Sequence, residues 1–216
     1  MSAETRKLVL KMSMSLDGFV CGPNGEIDWI FRTSTEDSRA WVVETLRGAD
    51  AHLMGSRTYA DMASFWPFSD TPFTEAMNDI PKIIFSRNGK DGAHVAGVTR
   101  ALADAKADRG QQHAVTPSEE VLLSWAEPTI ASGDLADEIR RLKDQPGNYL
   151  LAHGGARFAQ SLVATGLIDE YRLAIHPVVL GQGKPLFSAL SRPADLRLAS
   201  ATTFSGGSFA AVYHPG

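Results

Sequence analysis

Residues 8–15 alternate: Leu8, Leu10, Met12 and Met14 fall on one side, and Val9, Lys11, Ser13 and Ser15 on the other. A period of two predicts a strand. The stretch that follows, LDGFVCGPNGEIDW, is rich in Gly, Pro, Asn and Asp and predicts a loop or a loose hairpin. The period then changes. Thr35 offers an N-cap, Glu36 and Asp37 suit a first turn, and Trp41, Val42 and Leu46 recur at helical spacing until Gly48. Further on, AHLMG, PKIIFSR, the run 149–152 and DEYRLAIHPVVLG predict strands, the last with a proline near its end. SRTYADMA and SGDLADEIRRLKDQPG predict helices, the second with Leu135, Ile139 and Leu142 on one face and Gly147 after it. Phe158, Leu162 and Val163 mark another helix, with Gly166 as its stop. LRLASATTF and FAAVYH, joined by SGGS, predict a hairpin.

Strands that alternate with helices imply an α/β fold: a mainly parallel central sheet with helices on its faces and an antiparallel C-terminal hairpin at one edge. Residues 91–124 fit this rhythm poorly. They are polar and alanine-rich at first and apolar only near 121–125, so they are expected to form a surface insertion in a single domain spanning 1–216.

Composition narrows the function. The 216 residues are 44% hydrophobic with a net charge of −4, which leaves no basic footprint for nucleic acid. A single cysteine, Cys21, excludes an internal disulfide framework, and no His/Cys pair has ligand spacing, so no metal site is expected. No segment approaches the roughly 20 apolar residues of a membrane span, and the expected setting is the cytoplasm.

Ligands of open α/β sheets bind beyond the carboxyl ends of the strands. Three strand-to-helix junctions therefore carry the candidate chemistry. In HGGARF, Gly154 and Gly155 precede Ala156, Arg157 and Phe158 at a helix start, where free N–H groups and the positive dipole end attract an anion. The alternative is a tight turn or close helix–strand packing that merely needs glycine. In MGSRTY, Gly55 ends a strand, and Ser56, Arg57 and Thr58 open a helix; in FSR, Ser86 and Arg87 end another strand. Each alone reads equally as a capped turn, but together they suit a dinucleotide with several phosphates. No G-x-G-x-x-G follows a strand. His153 reads as a satisfied core histidine, His176 as structural, and the tryptophans as core or pocket wall.

MSLDGFVCGPNGEIDWI, AHLMGSRTY, PKIIFSR, SGDLADEIRRLK and HGGARFAQSLVATGLIDEYRLAIHPVVLGQGKPLF occur in an order that resembles the dihydrofolate-reductase-like superfamily. More closely, the chain resembles stand-alone relatives of the reductase domain of bacterial riboflavin-biosynthesis deaminase-reductases. The resemblance implies a three-layer fold, NADPH, a homodimer, and hydride transfer to a small heterocycle: a 5-amino-6-(5-phosphoribosylamino)uracil-like pyrimidine or a pterin. Carried over by motif, Gly55, Ser56, Arg57, Thr58, Gly154, Gly155, Ala156, Arg157 and Phe158 would hold the phosphates. Ser86 and Arg87 would meet the adenosine end, with Ser132 and Gly133 by the adenine. Residues 14–29 would form a loop over the nicotinamide. Dihydrofolate reductases use a carboxylate on the helix after the Trp-containing loop. Asp28, beside Trp29, is the candidate proton source, desolvated by that ring, or else a turn cap in solvent; Asp17 is either a second candidate or a turn-fixing residue. The competing readings are a true dihydrofolate reductase and a non-catalytic nucleotide- or ligand-binding protein of the same fold.

Overall fold

The computed structural model describes residues 5–87 and 115–216. At its centre is β1 (Lys7–Ser15), in which Leu8, Val9 and Leu10 are all at most 1% exposed. A strand buried on both faces needs helices on both sides of its sheet. β1 runs parallel to its neighbours β6 (Tyr149–Ala152) and β7 (Glu170–His176). With β3 (Ala49–Gly55), β4 (Lys82–Phe85), β5 (Thr129–Ala131), β9 (Leu196–Thr203) and β10 (Phe209–Pro215), the order is β5-β4-β3-β6-β1-β7-β10-β9. In this sheet only β10 runs against the other strands, pairing antiparallel with β7 on one side and with β9, its hairpin partner, on the other. A two-stranded ribbon joins β2 (Phe19–Cys21) to β8 (Lys184–Pro185).

Two hydrophobic cores flank the sheet. On one face Leu8, Leu10, Leu53 and Leu150 meet Ile139 and Leu142 of α6 (Leu135–Lys143) and Leu162 and Val163 of α7 (Ala156–Thr165). On the other, Val9, Met54 and Leu151 meet Leu46 of α2 (Glu36–Arg47), Tyr59 and Ala63 of α3 (Ser56–Phe65), Met77 of α4 (Thr74–Asp79) and Trp125 of α5 (Glu119–Ala126). A short α1 (Trp29–Arg32) follows the β2 loop. The result is the expected three-layer α/β architecture. Among the described residues no helix is long and apolar enough to cross a membrane.

Local signals set most boundaries. Thr35 caps α2 in a reciprocal capping box with Ser38. Gly166 closes α7 in the left-handed region, φ 66°. The cap of α6 is the Asp134 carboxylate, which accepts from the N–H groups of Ala136 and Asp137. β7 stops at His176 because Pro177 has no N–H to offer the sheet.

Residues 88–114, the greater part of the expected insertion, lie outside the described residues. Its last part belongs to the second core: Val121 and Leu122 pack there, and Trp125 just beyond is 0% exposed. The Trp125 indole N–H donates to Asn78 Oδ1 at 2.8 Å, and Tyr59 donates its hydroxyl to the Trp125 carbonyl. A polar run in front of a short amphipathic helix hides the start of that helix from periodicity.

Candidate active site

The strands β5, β4, β3 and β6 are consecutive in the sheet, and parallel pairing brings their carboxyl ends side by side. Ala131 is level with Phe85, Phe85 with Gly55, and Leu53 with Ala152. Ser132–Gly133, Ser86–Arg87, Gly55–Thr58 and Gly154–Phe158 follow directly from those ends. Four stretches spread over a hundred residues of sequence thus form one edge.

Two helices start on this edge without a side-chain cap, α3 after Gly55 and α7 after Gly155, so their first N–H groups lack side-chain acceptors. The two starts touch. A Cβ on Gly55 would stand 3.3 Å from Phe158 Cβ, and one on Gly155 would stand 2.5 Å from Thr58 Oγ1. Gly155 also has φ 59°, a conformation L side chains rarely take. The glycines therefore have a reason inside the protein, the close packing weighed above. Phe158 and Phe85 stack 5.1 Å apart between the ends of β4 and α7. Arg57, Arg87 and Arg157 are exposed and form no ion pair with a described residue. Ser86 Oγ is buried with no hydrogen-bond partner among the described residues, while Ser132 and Gly133 are exposed, the Gly133 N–H donating to Glu138.

The neighbouring end of the sheet, around β6, β1 and β7, carries a different chemistry. Lys11 lies on the face opposite Leu10, and burial pushes its ammonium down to about 8. The register Leu10↔Ala152 puts His153 on the same face of the adjoining strand end, and Ser15↔His176 puts His176 on the other neighbour. His153 contacts His52 of β3, Nε2 to Nδ1, at 2.7 Å, and His52 Nε2 is 3.0 Å from the Ala76 carbonyl oxygen. Desolvation holds His52 and His176 near 4 and His153 well below its ordinary value, with Lys11 adding to the depression of His153 and His176. His176 Nδ1 bonds Thr33 Oγ1 at 2.7 Å, and its Nε2 is buried without a partner among the described residues. Trp29, 3% exposed, meets the His176 ring edge-on at 5.4 Å.

The expected acids sit elsewhere. Asp28 lies outside the buried surroundings of Trp29, with its side chain 69% exposed and accepting from Arg32 Nη2 at 2.7 Å, a bond that outweighs what desolvation it has. That hydrogen bond holds the carboxyl below its ordinary range, opposite to the expected rise. Asp28 and Trp29 line an open cleft of about 300 Å³ with Gly22, Arg32, Val178 and Leu180. Asp17 accepts from Ser15 Oγ at 2.6 Å and from the N–H groups of Leu180 and Gly181, at 2.7 Å for the latter. These bonds, Ser15's first, keep it ionised and tie the end of β1 to the loop after β7.

Sequence reading missed Lys11 and the His52–His153 pair. Lys11 did carry a signal, as the one charged side chain between buried neighbours of a central strand. The histidine pair carried none, because its members are 101 residues apart.

The sheet order and register define a three-layer α/β scaffold in which the carboxyl ends of four neighbouring parallel strands form one edge and a half-buried lysine lies on the next part of the sheet. The chain belongs to the RibD C-terminal domain family, which matches residues 6–209. It is 29% identical over 209 residues to the uncharacterized protein YyaP of Bacillus subtilis (strain 168), covering 97% of this chain and 95% of YyaP. Among solved structures it is similar to the Thermotoga maritima diaminohydroxyphosphoribosylaminopyrimidine deaminase/5-amino-6-(5-phosphoribosylamino)uracil reductase, with TM-score 0.62, 18% identity, and coverage of 99% of this chain and 57% of that one. It is also similar to the Enterococcus faecalis dihydrofolate reductase complexed with NADP(H) and RAB-propyl, with TM-score 0.56, 12% identity, and coverage of 97% of this chain and 96% of that one.

Proposed function

We propose that this protein is an NADPH-dependent reductase that delivers hydride to a C=N or C=O carbon of a small heterocyclic substrate, in its ring or in a sugar-like arm, a uracil-type pyrimidine before a pterin. The observation that carries the reading is the junction at His153–Gly155, where the phosphate-suited edge meets the half-buried Lys11.

NADPH fits the residues present. Ser86 Oγ is a buried hydroxyl awaiting a partner, two uncapped helix starts offer N–H groups, and Arg57, Arg87 and Arg157 supply cationic forks for a 2′-phosphate and a pyrophosphate. Ser132 and Gly133 would flank the adenine. When bound, the cofactor supplies the hydride. The chain must then provide a proton, orient the substrate and exclude water. Lys11, held near 8, is charged at neutral pH yet acidic enough to give up a proton, which makes it the proposed donor. Trp29 and His176 form an aromatic wall that shields this face, and His176 Nε2 is a second polar contact for the substrate. Asp17 holds the loop over the site. The pyrimidine comes before the pterin because Asp28, bound to Arg32 in solvent, gives a true dihydrofolate reductase no buried acid. A homodimer is proposed on the family resemblance.

Purified protein, NADPH, and either 5-amino-6-(5-phosphoribosylamino)uracil or dihydrofolate, followed by nicotinamide absorbance, test the reading. Oxidation with the pyrimidine is the expected result. NADPH binding without turnover on either would favour the binding-protein alternative, and absence of NADPH binding would end the proposal.

A further inference from the structure

The hydrogen bonds of His52 and His153 can be satisfied in one way only. A carbonyl oxygen accepts and cannot donate, so His52 Nε2, 3.0 Å from the Ala76 oxygen, carries the ring proton. Both rings are neutral at pH 7, since desolvation lowers the two histidines far below that value. His52 Nδ1 is then a lone pair, and His153 Nε2, 2.7 Å away, must be the donor. That uses the only proton of the neutral His153 ring. Its Nδ1 is left as a bare acceptor, and no described residue is hydrogen-bonded to it.

Lys11 faces the same side of the sheet, one residue beyond the register pair Leu10↔Ala152, and acts on His153 electrostatically. We propose that His52 is a positioning residue that locks His153 in its Nε2–H tautomer and so makes His153 a pure hydrogen-bond acceptor beside Lys11. An acceptor next to an ammonium donor is complementary to a cyclic amide edge, with N–H toward His153 and C=O toward Lys11. That consequence rests on the reductase reading; the lock itself does not.

Other charged or titratable groups on this face have partners of their own. Arg172 of β7, the register partner of Lys11, pairs with Glu170 at 2.6 Å, and Glu170 also receives His214 of β10. Lys82 of β4 donates to the Asn78 carbonyl and Ser124. His176 of β7 is neutral at pH 7 and bonded to Thr33. Arg172 keeps its Glu170 partner and His176 its Thr33 partner when His52 is replaced. Lys82 acts on His52 electrostatically and is followed as a control, so a shift at Lys11 with Lys82 unmoved reports on His153.

The test is nitrogen NMR of ¹⁵N-histidine-labelled protein, with ¹³Cε titration of Lys11 assigned by Lys11→Gln, all without cofactor or substrate. The expected wild-type spectrum has His153 protonated at Nε2 and bare at Nδ1. His52→Asn, whose Oδ1 accepts in place of Nδ1, should keep that tautomer. His52→Leu should admit the Nδ1–H tautomer, and the Lys11 midpoint should fall by about half a unit or more, because an N–H dipole then faces the ammonium. A wild-type His153 protonated at Nδ1 overturns the proposal, as does a His52→Leu variant with tautomer and Lys11 midpoint unchanged. Should His52→Leu not fold, the wild-type and His52→Asn spectra decide alone. Because nothing here depends on turnover, this result is separable from the fate of the NADPH assay.

Discussion

Thr58 Oγ1 occupies the space that a side chain on Gly155 would need, with 2.5 Å to the hypothetical Cβ. The contact joins the first turn of α3 to that of α7 across two adjacent strands. Gly155→Ala should therefore destabilise the protein by about 1–3 kcal/mol, the sum of a positive φ and a clash with a side chain that has some freedom to move. Adding Thr58→Ala should recover part of the loss and leave the backbone part. Urea unfolding of the single and double variants reads both terms; no recovery would mean that the clash is absorbed elsewhere.

Lys11 should set the alkaline side of the pH–rate profile. Its folded value, about 8 against an ordinary 10.5, means that turnover falls as pH rises past 8 and the proton is lost. The same shift has a stability consequence of definite sign. Between 8 and 10.5 the unfolded chain binds a proton that the native one has released, so stability rises with pH across that window. Lys11→Met should lower turnover by about two or more orders of magnitude. It should also raise the melting temperature at pH 7 and narrow that advantage toward pH 10.

Acid should act through the histidines. His52 and His176 titrate near 4 in the folded state and His153 lower still, against an ordinary 6.5. As pH falls from 6.5 toward 4, the unfolded chain takes up protons first, so stability declines over that range. Melting curves at fixed ionic strength should show it. In His52→Asn the slope should be shallower, by up to about 1.4 kcal/mol per pH unit for each titration removed. A flat profile would mean that these rings charge without unfolding.

Asp28→Asn should leave turnover within a few-fold of wild type at all pH values, because the carboxylate is exposed and bound to Arg32. A fall of two orders with NADPH affinity unchanged would restore Asp28 as the proton source. Asp17→Asn should instead raise KM more than it lowers kcat, by loosening Leu180 and Gly181.

Trp125→Ala should cost about 3–5 kcal/mol, the range for emptying a fully buried aromatic site. Denaturant unfolding checks it, and a value under 1 kcal/mol would place α5 outside the cooperative core.

The alternation of residues 8–15, the Thr35 cap and the Gly166 stop were legible because each depends on a few neighbouring residues. That the three strand-to-helix junctions share one edge was legible too, since every strand end in a parallel sheet points the same way. Trp125 was not, because what makes it core is Asn78 and Tyr59, both far away in sequence. Asp28 misled for the opposite reason: Trp29 is indeed buried, but its neighbour turns outward to Arg32, four residues on. The value of Lys11 likewise depends on β6 and β7 being its neighbours, which pattern alone does not say.

His153, Gly154 and Gly155 are consecutive, yet they face different tasks: the first bonds His52 on the sheet face that carries Lys11, and the last packs against Thr58. β5, β4 and β3 lie to one side of this seam, and β1, β7 and the loops after them lie to the other. Substitutions on β1, β7 or the 177–183 loop can thus alter the surroundings of Lys11 and the cleft beside Trp29 while leaving the α3–α7 junction intact. The architecture permits residues on one side of the seam to vary while those on the other stay fixed. Only the three residues of the seam would have to satisfy both sides at once.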